Sequence, residues 1–421
     1  MNSTALSIYG FGHFGKSLLW MSSGLTFAFY LTEVAGLPPA TMGWVLALSL
    51  LVNAASDWLI GKALGPYIVT ISAASRWQFA GSGLASCCFI LFAQTGTISP
   101  DFRTAYALIA LILFRLGYSL YDVPQNSLLG LAAGDDADRS QIAATRYAAA
   151  GLATIAVTLC LSVWIVQTDI ARREAIFGAM AIVFAAIACG SSLLVRAYFS
   201  RQEAPGNAGS RPPGGPSALD LRPLPTVLAF GAIAIYSTLM PVFTELKVYF
   251  AAFALPSETS KVAFLLCSAA GQVLAQPVWA WIGRRRTLAS LFRLAALAVI
   301  GAGLFFGIAS TGSVHWVLIA AFLFGATSSG LLMAIWSIMG NVASFDPDTA
   351  LARFGLFTSC SKLAQAASVL LIGQILTISD YRDGTFWVMA TAMTASVVLT
   401  GILCAALSLA VSKASPAMTS G

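Results

Sequence analysis

Asp57, Asp122 and Lys362 each stand inside a long apolar stretch. A charge at membrane depth costs roughly 3 kcal/mol on insertion scales, so it normally faces a bundle interior or a wet cavity and marks a substrate or ion path. Two of these stretches add partners at helical spacing. In Asn53-Ala-Ala-Ser56-Asp57 an amide, a hydroxyl and a carboxylate fall at i, i+3 and i+4, hence on one helix face. That set can hold a proton on Asp57 or, with oxygens from another helix, a small hard cation; for Asn53 and Ser56 alone, a helix–helix hydrogen bond is the competing role. Arg115, Ser119, Asp122 and Asn126 follow at i, i+4, i+7 and i+11 and make a polar stripe on an otherwise apolar helix. Pro124, next to that stripe, removes the bond to the carbonyl of Leu120 and predicts a kink. The competing role for Arg115 is a salt bridge that neutralises Asp122 or another acid.

Earlier in the chain, Lys16, Ser17 and Trp20 stand with His13 among Gly10, Gly12 and Gly15, which permit close helix packing. Lys16 and Trp20 suit a polar ligand carrying a ring to stack on; equally, Lys16 pairs with Asp57 or Asp122. Near the other end, Ser359, Lys362 and Gln365 recur at spacing three, while Lys247 and Glu245 read as an interfacial pair.

The elements that must position these groups are membrane spans. Only 10% of the 421 residues are charged and 58% are hydrophobic. The apolar residues fall in blocks of about 20, the length that crosses a hydrocarbon core of about 30 Å. Twelve such blocks are expected, near 5–33, 42–62, 78–97, 104–131, 145–168, 175–199, 223–252, 259–282, 287–310, 314–343, 353–378 and 384–412. The first is too long for a signal peptide and carries Lys16. Connections after even-numbered blocks hold most of the Lys and Arg, including Arg284, Arg285 and Arg286, so both termini are expected in the cytoplasm. The net charge of +6 is thereby a topology signal and not the mark of a nucleic-acid partner. The seven cysteines lie within apolar blocks and read as packing residues. A Pro-, Gly- and Ser-rich stretch at 200–222 reads as a flexible linker between residues 1–199 and 223–421, two halves of six helices each. At an offset of 210, Leu113, Phe114, Ser119, Ser127, Gly130, Asp136 and Asp138 match Leu323, Phe324, Ser329, Ser337, Gly340, Asp346 and Asp348, as duplicated halves would. There is no Walker loop, no Gly-x-Ser-x-Gly elbow and no His- or Cys-rich metal set, so no enzyme, no cofactor and no ATP-driven step is expected.

These residues carry a family likeness. Phe11-Gly-His-Phe14-Gly15-Lys16, then Asp57-x-x-x-Gly61, then Tyr118-x-x-x-Asp122-Val-Pro124 followed by acidic residues, Arg139 and Arg146, resembles the glycoside-pentoside-hexuronide:cation symporter family of the major facilitator superfamily. Lys362 is a C-terminal match. The resemblance implies an all-α membrane protein of major-facilitator fold, with a cation site from the second and fourth helices and a sugar site between the halves. It puts Asn53, Ser56, Asp57 and Ser119 at cation-site positions, and Ser17, Asp122, Asn126, Arg146 and Lys362 near the sugar. Four departures stand out. Asn53 replaces an acid, Ser17 replaces an acid after Phe-Gly-Lys, Asn126 replaces a sugar-stacking Trp, and Trp58 replaces a Pro.

With a single carboxylate on the second helix, H⁺ is expected ahead of Na⁺ as the coupling ion. The overall expectation is a monomeric, multi-pass secondary transporter of the plasma membrane, in a bacterium its inner membrane, that carries a sugar or a related small polar organic solute, neutral or acidic, with a coupling cation through the lipid bilayer by alternating access. An exporter or lysolipid carrier of the same fold, and a non-transporting membrane sensor, are the alternatives.

Overall fold

The computed structural model describes residues 3–68, 70–132, 136–200, 224–344, 350–379, 381–384 and 386–414. Side chains of 129–140 and 343–352 lie outside that description, and with them Arg139 and the Gly130, Asp136 and Asp138 matches. The linker expected at 200–222 lies outside it too, apart from Ser200.

The described residues form helices without strands. In the first unit these are α1 (Ser3–Leu25), α2 (Phe27–Glu33), α3 (Pro39–Leu64), α4 (Ile71–Phe92), α5 (Pro100–Ala132), α6 (Asp136–Ile165) and α7 (Ile170–Phe199). The second unit holds α8 (Leu224–Tyr249), α9 (Glu258–Leu274), α10 (Gln276–Gly283), α11 (Leu288–Ala309), α12 (Val314–Ser344), α13 (Ala350–Ile378) and α14 (Trp387–Ala414). The chain divides into compact units at Met1–Pro212 and Pro213–Gly421.

Among the described residues, eleven helices are long and apolar enough to cross a membrane, and they match the second to twelfth blocks. The first block does not reach that apolarity, because α1 carries His13, Lys16, Ser17, Ser22 and Ser23, all buried. A helix with its polar residues packed inward does not need an apolar composition.

Glycine makes the first unit's helices approach closely. A Cβ on Gly81 of α4 would overlap the backbone of Leu120 and Tyr121, and one on Gly117 of α5 would overlap Ala85. A Cβ on Gly15 of α1 would strike Ser191 and Ala188 of α7. The outer core is aromatic: Tyr30 stacks on Phe177 at 4.1 Å, and Phe27 sits 4.4 Å from Phe92, centroid to centroid. α5 runs on through Pro124 as one helix.

Candidate functional site

Three antiparallel steps register α1 against α5. Arg115 Nη1 donates to Ser23 Oγ at 3.2 Å, Trp20 stacks on Tyr118 at 5.2 Å, and Lys16 Nζ pairs with Asp122 Oδ1 at 2.6 Å. Lys16 also donates to Asn126 Oδ1 at 3.1 Å, and Arg146 Nη2 of α6 donates to the same oxygen at 2.8 Å. One amide oxygen thus bridges two cations. The Lys16 side chain is 4% exposed and that of Asp122 is 21% exposed, so the pair has its acid toward an opening. Lys16 thus pairs with Asp122, one of the two acids its position left open.

Arg115 makes further contacts with the aromatic residues around it. Its guanidinium lies 5.5 Å from the Trp20 ring and 5.6 Å from that of Phe114, with Ser23 as hydrogen-bond acceptor. Cation–π contact stabilises a buried guanidinium without neutralising it. Ser17 is buried next to Lys16.

The second group joins α3 to α5. Ser119 Oγ donates to Asp57 Oδ1 at 2.5 Å, and the Ser56 and Ser119 hydroxyls lie 2.7 Å apart. Ser56 Oγ also reaches the backbone carbonyl of Asn53 at 3.0 Å. Ser119 is fully buried and Ser56 nearly so. The Asn53 side chain is fully buried too, and neither its amide nitrogen nor its oxygen has a hydrogen-bond partner among the described residues. Ten of the eleven residues singled out in the sequence lie in the first unit, and eight are joined side chain to side chain: Lys16, Asp122, Asn126 and Arg146 in one network, Asp57, Ser56 and Ser119 in the other, and Trp20 against Arg115 and Tyr118.

Lys362 lies on α13 of the second unit and is 7% exposed. The preceding residue, Ser361, bonds Ser237 of α8 at 2.8 Å and accepts from Gln365 at 3.2 Å. Lys247, read above as interfacial, is instead buried, with its ammonium donating to Ser268 of α9 at 3.1 Å. The deviation has a plain cause: α8 continues through Lys247 into a π-turn at Phe250–Ala254, so the lysine lies inside the span and not at its end. Sequence reasoning undervalued Arg115 and passed over Gln78 and Gln125; an amide in an apolar block at helical distance from the stripe was the available signal.

Long apolar helices in two units, with charged side chains turned inward on α1, α3 and α5, define a multi-pass membrane transporter. Residues 8–412 match the family model described as MFS/sugar transport protein. The chain belongs to that family, whose members are transporters and not enzymes. It is 26% identical over 141 residues to the uncharacterized symporter YjmB of Bacillus subtilis (strain 168), covering 33% of this chain and 30% of that protein. It is 25% identical over 208 residues to the putative glycoside/cation symporter YagG of Escherichia coli (strain K12), covering 46% of this chain and 42% of that protein. The matched stretches thus span less than half the length of these curated relatives. The fold matches the crystal structure of the nucleoside transporter NupG with a TM-score of 0.70 at 13% identity, over 97% of this chain and 99% of that one. It matches a peptide transporter with a TM-score of 0.69 at 14% identity, over 97% and 95%. Relatives named as symporters do not favour the exporter, lysolipid or sensor alternatives.

Proposed function

We propose that this protein is a proton-coupled symporter of a small, acidic, sugar-like solute, with Asp57 as the proton-carrying residue. The observation that carries this reading is the chain from the Asp57 carboxylate through Ser119 and Ser56 to the Asn53 carbonyl. With Asp57 ionised, Ser119 donates to it and Ser56 donates to Ser119. With Asp57 protonated, each hydroxyl turns round, and Ser56 donates to the Asn53 carbonyl. Both protonation states are satisfied without moving a heavy atom, which suits a site that must gain and lose a proton. Sodium needs several oxygens free to coordinate at once, whereas here the two hydroxyls occupy each other.

The charge balance favours an acidic solute. Lys16, Arg115 and Arg146 face two carboxylates, Asp57 and Asp122. An unbalanced buried cation is costly, and an incoming carboxylate relieves it. Protonation of Asp57 enlarges the positive surplus, so proton and acidic solute each raise the other's affinity. Such coupling is reciprocal by linkage, and it is the thermodynamic basis of symport. Trp20 with Tyr118 supplies a ring platform, and Ser17 and Asn126 complete the first unit's set for the solute. The basic connections favour a bacterial inner membrane with both termini in the cytoplasm, and the chain acts as a monomer.

Uptake of a labelled hexuronate into proteoliposomes tests this. Concentrative uptake driven by an inward proton gradient in sodium-free buffer is expected, with uronates competing better than the matching neutral glycosides. Uptake driven only by a sodium gradient would refute proton coupling, and equal competition by neutral glycosides would refute the acidic solute.

A further inference from the structure

Beyond the Lys16–Asp122 step, the register of α1 on α5 continues for one more turn and pairs His13 with Gln125. The sequence 23/115, 20/118, 16/122 leads there directly, and a Cβ on Gly12 would lie 3.4 Å from Gln125 Nε2. The close approach of α4 to α5 brings in a further residue. Gly81 meets Tyr121, and one turn from each along antiparallel helices stand Gln78 and Gln125. Tyr9, one turn from His13 on α1, stacks on its ring at 6.5 Å.

All four side chains are sealed: Gln78 and Gln125 are 0% exposed, Tyr9 is 1% and His13 is 7%. Tyr9 Oη, His13 Nδ1 and both amide atoms of Gln78 and Gln125 make no hydrogen bond of ordinary geometry among the described residues, although Arg146 approaches Tyr9 and Gln125 approaches His13. Six buried polar atoms gathered on adjacent turns of neighbouring helices call for a partner, and ordered water is the usual one. The desolvation penalty for each is about 1–3 kcal/mol. The atoms mix donors and acceptors, which suits a neutral ligand able to do both, and their burial excludes anything of sugar size. Lys16 and Arg146 act electrostatically on His13, and Arg146 and Asp122 on Tyr9, so the surroundings carry more positive than negative charge and do not favour a cation.

We propose that Tyr9, His13, Gln78 and Gln125 enclose an internal hydration site, whose ligand is ordered water, one turn from the Lys16–Asp122 pair. Water makes two to four hydrogen bonds in such polar pockets, so two molecules satisfy the six atoms. The site stands on this geometry alone. If the proton-coupled reading above also holds, the same water gives the Lys16–Asp122 pair a hydrogen-bonded path away from the opening.

Radiolytic hydroxyl labelling in isotopically heavy water, read by mass spectrometry on the full-length protein in detergent or nanodiscs, tests the site directly, because ordered water labels the side chains it touches even when they are buried. Tyr30 and Tyr121 are internal controls: both are fully buried, but their hydroxyls bond the carbonyls of Ala93 and of Gly12 and Ala188. Tyr9 and His13 are expected to take up label at least several-fold faster than Tyr30 and Tyr121. A Gln78→Leu/Gln125→Leu variant that keeps its melting temperature within a few degrees is expected to bring Tyr9 down to the control rate. Labelling of Tyr9 no faster than Tyr30 and Tyr121 in the unmodified protein would overturn the proposal without any variant, and so would an unchanged Tyr9 rate in the folded double variant. Neither outcome depends on whether the solute is carried with a proton.

Discussion

The two units of this protein use one scaffold for different chemistry. In the first, α1 packs on α6 and α7, α4 on α5 and α7, and α3 on α5. In the second, α8 packs on α13 and α14, α11 on α12 and α14, and α9 on α12. Glycine sets the close approach in both, with Gly81 and Gly117 between α4 and α5 and Gly271 and Gly325 between α9 and α12. Phe114 and Phe324, and Ser119 and Ser329, are buried in both, as the offset of 210 residues requires. The polar interiors diverge. The first unit surrounds two carboxylates with three cations and a hydroxyl relay, whereas the second holds Lys247 on one serine hydroxyl and a serine pair between α8 and α13. Apolar pattern and small residues build both bundles, and the polar side chains on α1, α3 and α5 are what sets the first apart.

That contrast can be broken at several points. The largest effect is expected at Asp57. An Asp57→Asn variant should keep solute binding and counterflow but lose proton-driven accumulation, a ratio of about 50-fold for each 100 mV of driving force at 2.3 kcal/mol per charge; accumulation measured in proteoliposomes at a fixed gradient decides it. Next comes the buried pair. Lys16→Met leaves Asp122 without its cation and is expected to cost about 3 kcal/mol or more in chemical or thermal unfolding, while Lys16→Met with Asp122→Leu recovers most of it. Equal losses in the single and double variants would show that the pair is not what holds α1 to α5.

The shared scaffold predicts matched penalties. Gly81→Ala and Gly271→Ala should each destabilise by about 1–3 kcal/mol through overpacking against a neighbouring backbone, and a large disparity in melting temperature would argue against equivalent packing. The smallest effect is expected at Lys247. Lys247→Met removes a buried cation held by one neutral hydroxyl and should shift stability by about 1 kcal/mol or less, in either direction, because a matched apolar side chain replaces both charge and desolvation cost. A loss as large as that of Lys16→Met would place a functional ion pair in the second unit.

Much of this was legible in the sequence because membrane burial leaves a strong trace. Apolar block length located eleven spans, and the spacing of Arg115, Ser119, Asp122 and Asn126 anticipated the face that α5 turns toward α1 and α3. Pairings across helices were not legible. Periodicity fixes a face but not the register between two helices, so Lys16 was left between Asp57 and Asp122 until the antiparallel steps on α5 selected Asp122. Lys247 was misplaced for a related reason: a charge near the end of an apolar block looks interfacial unless the helix is known to continue past it. Gln78 and Gln125 were passed over because neither adds a period of its own: Gln78 follows Arg76 near the start of α4, and Gln125 adjoins Asn126 of the stripe on α5.

The central claim, a proton carried on Asp57 together with an acidic solute, is tested most directly by solute-driven proton movement. Proteoliposomes without any imposed gradient are suspended in weakly buffered, sodium-free medium with a pH electrode, and a hexuronate is added outside. The expected result is prompt alkalinisation of the medium as protons enter with the solute, unchanged when sodium is supplied and absent in Asp57→Asn. Alkalinisation that persists in Asp57→Asn, or solute entry accompanied by radiolabelled sodium with no proton movement, would contradict it.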